Sequence, residues 1–189
     1  MRLYALCDQE LLDSTNISLE EFINVAKANN AEIIQYRNKT ADVAFIKTQL
    51  IKIRKIFDGF LIVNDSYELI EFCDGVHLGQ GDLKKIDSDI STAVNIIRQV
   101  IGSDKILGIS THNEEEVLQA NEMDLNYIGL GAYRDTSTKK DIAGVLGNSL
   151  DAIASLSKHF VGAIGGVKSN DKFQNVTYHV IGSGLLKQI

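Results

Sequence analysis

At 189 residues the chain has the length of one ordinary domain, enough to bury about 70% of the surface its unfolded form exposes. Hydrophobic residues make up 44% and charged residues 23%, globular values that exclude disorder, collagen and coiled coil as descriptions of the whole. The net charge of -6 argues against a general binder of phosphate backbones, so nucleic acid is not an expected partner, while a local basic pocket survives that argument.

Cys7 and Cys73 lack the paired spacing of a zinc site and are too few for a disulfide framework. A reducing cytoplasm is the compartment they suit. The first residues run into a short apolar stretch that ends at Asp8, without the long hydrophobic core of a secretion signal. No apolar run approaches the roughly 18 residues of a membrane span, so no membrane is expected. Proline is absent, where average usage of about 5% would supply roughly nine.

Short apolar, β-branched runs alternate with stretches of helical spacing. Strands are expected at 3–7, 33–37, 60–63, 76–79, 106–110, 127–131, 160–164 and 178–181. Helices are expected near 19–28, 43–57, 92–101, 114–121 and 150–158, with short ones at 67–72 and 171–175. Strand and helix alternating in this way favours parallel pairing, and eight units close a (β/α)8 TIM barrel. An open doubly wound sheet is the alternative. Only eight residues follow Ile181, so the final helix is expected to be vestigial. Nothing in the chain marks a linker, so residues 1–189 read as a single barrel domain.

In a barrel, chemistry collects where strands end. After the second strand Gln35, Arg37 and Lys39 alternate, and a period of two turns all three toward the mouth, as an anion pocket or as a structural ion pair. Asp65 and Asp82, from adjacent strand ends, could share a magnesium ion with phosphate oxygens; Asp65 could instead cap the next helix. Asp74 reads as structural. Ser110 could donate to a phosphate, Asn113 reads as a helix cap, and His112 is an acid/base candidate or a structural residue. The loop from Ala132 to Lys140 joins hydroxyls and cations and could close over substrate. Glycines 165, 166, 182 and 184 follow strands seven and eight, where barrels commonly hold phosphate on backbone amides.

These residues resemble the thiamine phosphate synthase and TenI superfamily of (β/α)8 barrels over essentially the whole chain. The resemblance is carried in order by Q-Y-R-N-K at 35–39, I-V-N-D at 62–65, D-G-V-H-L-G-Q-G-D at 74–82 and G-I-S-T-H at 108–112. G-L-G ending at Gly131, T-S-T-K at 136–139 and A-I-G-G-V at 163–167 continue it. Ala132 and Asp135 stand where that loop commonly has prolines.

Synthases of this kind join hydroxymethylpyrimidine diphosphate to thiazole phosphate with magnesium, releasing diphosphate. The resemblance implies that Gln35, Arg37, Lys39, Asn64 and Lys139 hold the diphosphate, that Asp65 and Asp82 hold Mg2+, and that Ser110 hydrogen-bonds the departing group. Lys39, Ser110 and Lys139 are thus the expected catalytic groups. Thr136 and Thr138 would lie near the thiazole, whose phosphate would rest near Gly166, Gly182 and Ser183, with His77 and His112 beside the substrates. The expected reaction is a dissociative substitution captured by the thiazole nitrogen. The alternatives are a metal-free TenI-like thiazole tautomerase with His112 as acid/base, and a catalytically silent barrel that binds thiamine precursors. The short final helix could leave apolar surface for a homodimer partner to cover.

Overall fold

The computed structural model describes residues 2–135 and 144–187. Eight parallel strands close into one barrel in sequence order. They are β1 (Arg2–Asp8), β2 (Ala31–Arg37), β3 (Phe60–Asn64), β4 (Gly75–Leu78), β5 (Ile106–Thr111), β6 (Tyr127–Leu130), β7 (Phe160–Ala163) and β8 (Tyr178–Ile181). β8 pairs back onto β1, with Arg2 opposite Tyr178 and Ala5 opposite Ile181, which removes both sheet edges. The barrel reading therefore holds over the open sheet.

The crossovers are α1 (Gln9–Thr15), α2 (Leu19–Ala28), α3 (Val43–Ile56), α4 (Gln80–Ile86), α5 (Ile90–Ile101), α6 (Glu114–Ala120), α7 (Ser149–Ala154) and the four-residue α8 (Ser183–Leu186). A 3-10 turn, Tyr67–Phe72, crosses from β3 to β4. Side chains start most of the longer helices. Ser18 and Glu21 form a capping box on α2, while Asp42, Asp89 and Asn113 accept the free amides of Phe45, Thr92 and Glu116. Asn113 is thus the cap its sequence suggests. No helix among the described residues is long and apolar enough to cross a membrane.

Two helices were not legible, α1 and α4. Both are single short amphipathic stretches that bury one leucine each, Leu12 and Leu83, too few for a periodic signal. Conversely, 171–175 is not helical. Its amides go elsewhere: Gln174 and Asn175 donate to the Asp151 carboxylate at 3.0 and 2.9 Å.

Strand alternation divides the apolar residues between two cores. Leu3, Ala5 and Cys7 of β1 face the helices with Ile34, Leu61, Val63 and Val76, against which α2 sets Phe22, Ile23 and Ala26. Tyr4 and Leu6 face inward with Ile33, Ile62, Tyr127, Tyr178 and Val180, so the barrel is filled and its mouth has a floor. Glycines on β5 and β6 admit the large rings of that floor. A Cβ on Gly108 would lie 2.2 Å from the Tyr127 ring, and one on Gly129 would lie 3.2 Å from the His77 ring.

Candidate active site

Above this floor one pocket gathers most of the residues singled out in the sequence. Gln35, Arg37, Lys39, Asn64, Asp65, His77, Asp82, Ser110, His112, Gly166, Gly182 and Ser183 all line it. Thr136, Thr138 and Lys139 lie outside the described residues.

The centre of the pocket is an ammonium between two carboxylates. Lys39 Nζ donates to Asp65 Oδ2 and, at 3.2 Å, to Asp82 Oδ2. Asn64 donates to the same Asp65 oxygen at 2.6 Å, and Lys85 holds the other Asp82 oxygen at 2.8 Å. Asp65 does not cap the following turn, whose first residues have no side-chain cap at all. Its backbone instead sits in the left-handed region, φ 63°, immediately after β3. Burial raises the Asp65 pKa, Lys39 opposes that shift, and the charge of Asp82 adds to it. Burial also acts upward on Asp82, but the hydrogen bond and charge of Lys85 and Lys39 outweigh it and leave that carboxyl below its ordinary value.

Two polar atoms here are buried without a partner among the described residues. They are Gln35 Nε2, a donor, and Asp65 Oδ1, an acceptor. Such atoms are uncommon in folded proteins, and an ordered water or a bound ligand would complete their hydrogen bonding. An anion suits the first and a cation the second. No cluster of three metal-ligating side chains occurs among the described residues, so a metal here would have two carboxylates and take its remaining ligands from water and substrate. The donor set fits magnesium, whose sites typically combine one or two carboxylates with phosphate oxygens.

Of the two sequence readings of Arg37, the structure shows the ion pair. The residue lines the pocket, and its Nη1 pairs with Asp8, a carboxylate only 3% exposed at the end of β1. Asp8 also caps α1 by accepting from the Leu11 amide at 3.1 Å. Sequence reasoning missed this residue; the one available signal was its place one residue beyond an apolar strand. Asp74 is structural as expected, accepting from the Leu61 amide at 2.7 Å and pairing with Arg54.

His77 lies deeper, 7% exposed. Its Nε2 is 3.0 Å from Ser110 Oγ, and its Nδ1 is 2.9 Å from the Tyr127 hydroxyl. Tyr127 in turn bonds Tyr4 at 2.8 Å. Neither tyrosine was singled out in the sequence, because an inward aromatic on a strand reads as core. His112 sits at the rim, with Nδ1 3.0 Å from the Glu116 carboxylate.

On the far wall the loops after β6 and β7 are laced together. Tyr133 and Arg134 donate backbone bonds to Ile164 and Gly165 at 2.8 and 2.9 Å, and the Arg134 guanidinium grips Asp171 with two 2.7 Å bonds. Where proline is absent, this fork fixes the start of the loop. The approach is close enough that a Cβ on Gly165, φ 86°, would lie 2.5 Å from Ala132 Cβ.

Comparison with known proteins identifies the family. The family model described as thiamine monophosphate synthase matches residues 3–182. A thiamine-phosphate synthase of Lawsonia intracellularis is 37% identical over 184 residues, covering 94% of this chain and 79% of the relative. One of Persephonella marina is 33% identical over 176 residues, covering 90% and 79%. A solved thiamine phosphate pyrophosphorylase of Pyrococcus furiosus superposes with a TM-score of 0.72 at 23% identity, over 96% of this chain and 85% of that one, and supports the fold. The chain belongs to the thiamine monophosphate synthase family.

Proposed function

We infer that this chain is a thiamine-phosphate synthase, joining hydroxymethylpyrimidine diphosphate to thiazole phosphate and releasing diphosphate. The observation that carries the residue roles is the pair of buried atoms without a partner among the described residues, Gln35 Nε2 and Asp65 Oδ1, in the pocket that Lys39 also lines. Donors for an anion and an acceptor for a cation meet at one place, as a metal-bound diphosphate requires.

In this reading Gln35, Arg37, Lys39 and Asn64 bind the diphosphate, and Asp65 and Asp82 hold Mg2+. The metal ion would supply charge neutralisation on the departing diphosphate. With Mg2+ held by both carboxylates, Lys39 would be available to donate to the phosphate oxygens and neutralise their charge. Ser110 donates a hydrogen bond to the leaving group, which strengthens as the C–O bond breaks and negative charge gathers there. No protein nucleophile is needed, because the electron-rich pyrimidine carries the developing cation until the thiazole nitrogen captures it. The apolar floor excludes the water that would otherwise intercept that cation.

The test is diphosphate release by the purified protein given both substrates and Mg2+, with a control lacking the thiazole. Thiazole- and Mg2+-dependent release is expected, abolished in Asp65→Asn and retained in His112→Ala. Release that persists in Asp65→Asn but fails in His112→Ala would refute this assignment of roles.

A further inference from the structure

The four groups Ser110, His77, Tyr127 and Tyr4 form one line of hydrogen bonds from the pocket into the barrel floor, with steps of 3.0, 2.9 and 2.8 Å. Their strands differ, β5, β4, β6 and β1, so the line exists only in the closed barrel. It is also a built feature. Gly108 and Gly129 leave the space that the Tyr127 and His77 rings fill, and those rings stack with centroids 5.5 Å apart.

Counting protons along this line fixes their direction. Tyr4 and Tyr127 are 1% and 4% exposed, and burial raises the pKa of both, so each keeps its O–H proton at neutral pH. Among the described residues, Tyr4 has one hydrogen-bond partner, the Tyr127 oxygen. If His77 Nδ1 carried a proton, it would donate to Tyr127, and two tyrosine protons would then share one remaining contact. One buried O–H would be left without an acceptor, an arrangement that native interiors avoid. With Nδ1 bare, every proton is used: Tyr4 donates to Tyr127 and Tyr127 donates to Nδ1. The imidazole proton then sits on Nε2 and is donated to Ser110 Oγ. Ser110 thereby accepts from behind, and its own proton is left to point into the pocket.

We propose that Tyr4 and Tyr127 are positioning residues that lock His77 in its Nε2–H tautomer and so keep Ser110 a hydrogen-bond donor toward the bound substrate. The lock itself stands on the line of hydrogen bonds; that Ser110 donates to a departing diphosphate rests on the synthase reading. A hydroxyl free to turn would divide its proton between imidazole and substrate, whereas a locked one is already oriented when leaving-group charge develops.

Two measurements test this. The first is nitrogen NMR of the wild-type protein carrying 15N-labelled histidine, with His77 assigned through its contacts to the Tyr127 ring. A neutral ring with its proton on Nε2 is expected; a proton on Nδ1, alone or together with Nε2, overturns the lock. The second is kinetics of Tyr127→Phe, which keeps the ring, the stacking and the volume and removes only the hydroxyl. Its kcat should fall about tenfold while KM for the pyrimidine diphosphate stays within about twofold, as for a group acting only in the transition state. Tyr4→Phe should produce a mixture of tautomers and a loss of about threefold. A Tyr127→Phe enzyme with unchanged kcat overturns the role of the lock in turnover. An inactive wild type would overturn the synthase reading instead, and the NMR result would still decide the lock.

Discussion

Gly108→Ala places the sharpest demand on the barrel interior. The added methyl carbon would lie 2.2 Å from two atoms of the Tyr127 ring and 2.7 Å from a third. The ring cannot swing aside freely, because it stacks on His77 and its hydroxyl bonds both His77 and Tyr4. Overpacking of this kind costs about 1–3 kcal/mol. Displacing the ring also strains two buried hydrogen bonds, each contributing about 1 kcal/mol. A total near 4 kcal/mol, at about 3 °C per kcal/mol for a domain of this size, lowers Tm by roughly 12 °C. Circular dichroism melts would measure it, with Gly81→Ala as control. A Cβ at Gly81 meets nothing within 4 Å, and this glycine lies in α4, where alanine should be neutral or stabilising. Adding Tyr127→Leu to Gly108→Ala should cost less than the two single changes summed, since removing the ring relieves the clash. A Gly108→Ala variant melting within about 2 °C of the parent, or strict additivity in the double variant, would refute the packing argument.

Other consequences follow from the ion pairs and thiols. Asp8→Ala strips a buried partner from Arg37 and a cap from α1, and should cost about 3 kcal/mol in urea unfolding, part of it recovered by adding Arg37→Met; a cost below about 1 kcal/mol would contradict the pairing. The hydrogen bonds and charge of Arg134 hold the Asp171 carboxyl below its ordinary pKa of 3.8. That contribution to stability is present above this value and is lost as pH falls through the lower folded value, so Asp171→Asn should flatten this part of the acid limb of a stability profile. Cys7 and Cys73 are buried, and burial pushes both thiols up, that of Cys73 to about 11. Neither should react with a thiol reagent in the native protein at pH 8, and both should react in denaturant; fast native labelling would contradict their burial.

Much of the site was legible because the barrel turns a linear rule into a spatial one. Side chains two apart on a strand share a face, so Gln35 and Arg37 had to face one way once β2 was recognised. Asn64, His77 and Ser110 follow the same rule at the ends of β3, β4 and β5, whereas Asp65, next to Asn64, reaches the pocket only because its backbone turns into the left-handed region. Asp8 was not legible, because nothing local tells that a carboxylate after an apolar run will be buried under an arginine 29 residues on. Tyr4 and Tyr127 escaped for the opposite reason. Their rings belong to the interior core, and their hydroxyls acquire meaning only from each other and from His77.

By itself the sequence determined the alternation of strand and helix, the order of the polar residues at the strand ends and the family to which they belong, since periodicity and local motifs act within a few residues. Closure of β8 on β1, the lacing of the β6 and β7 loops and the line of hydrogen-bonded groups from Tyr4 to Ser110 were decided only by the tertiary structure. Each depends on groups brought together from distant strands, whose pairing energies arise only after the chain between them has folded.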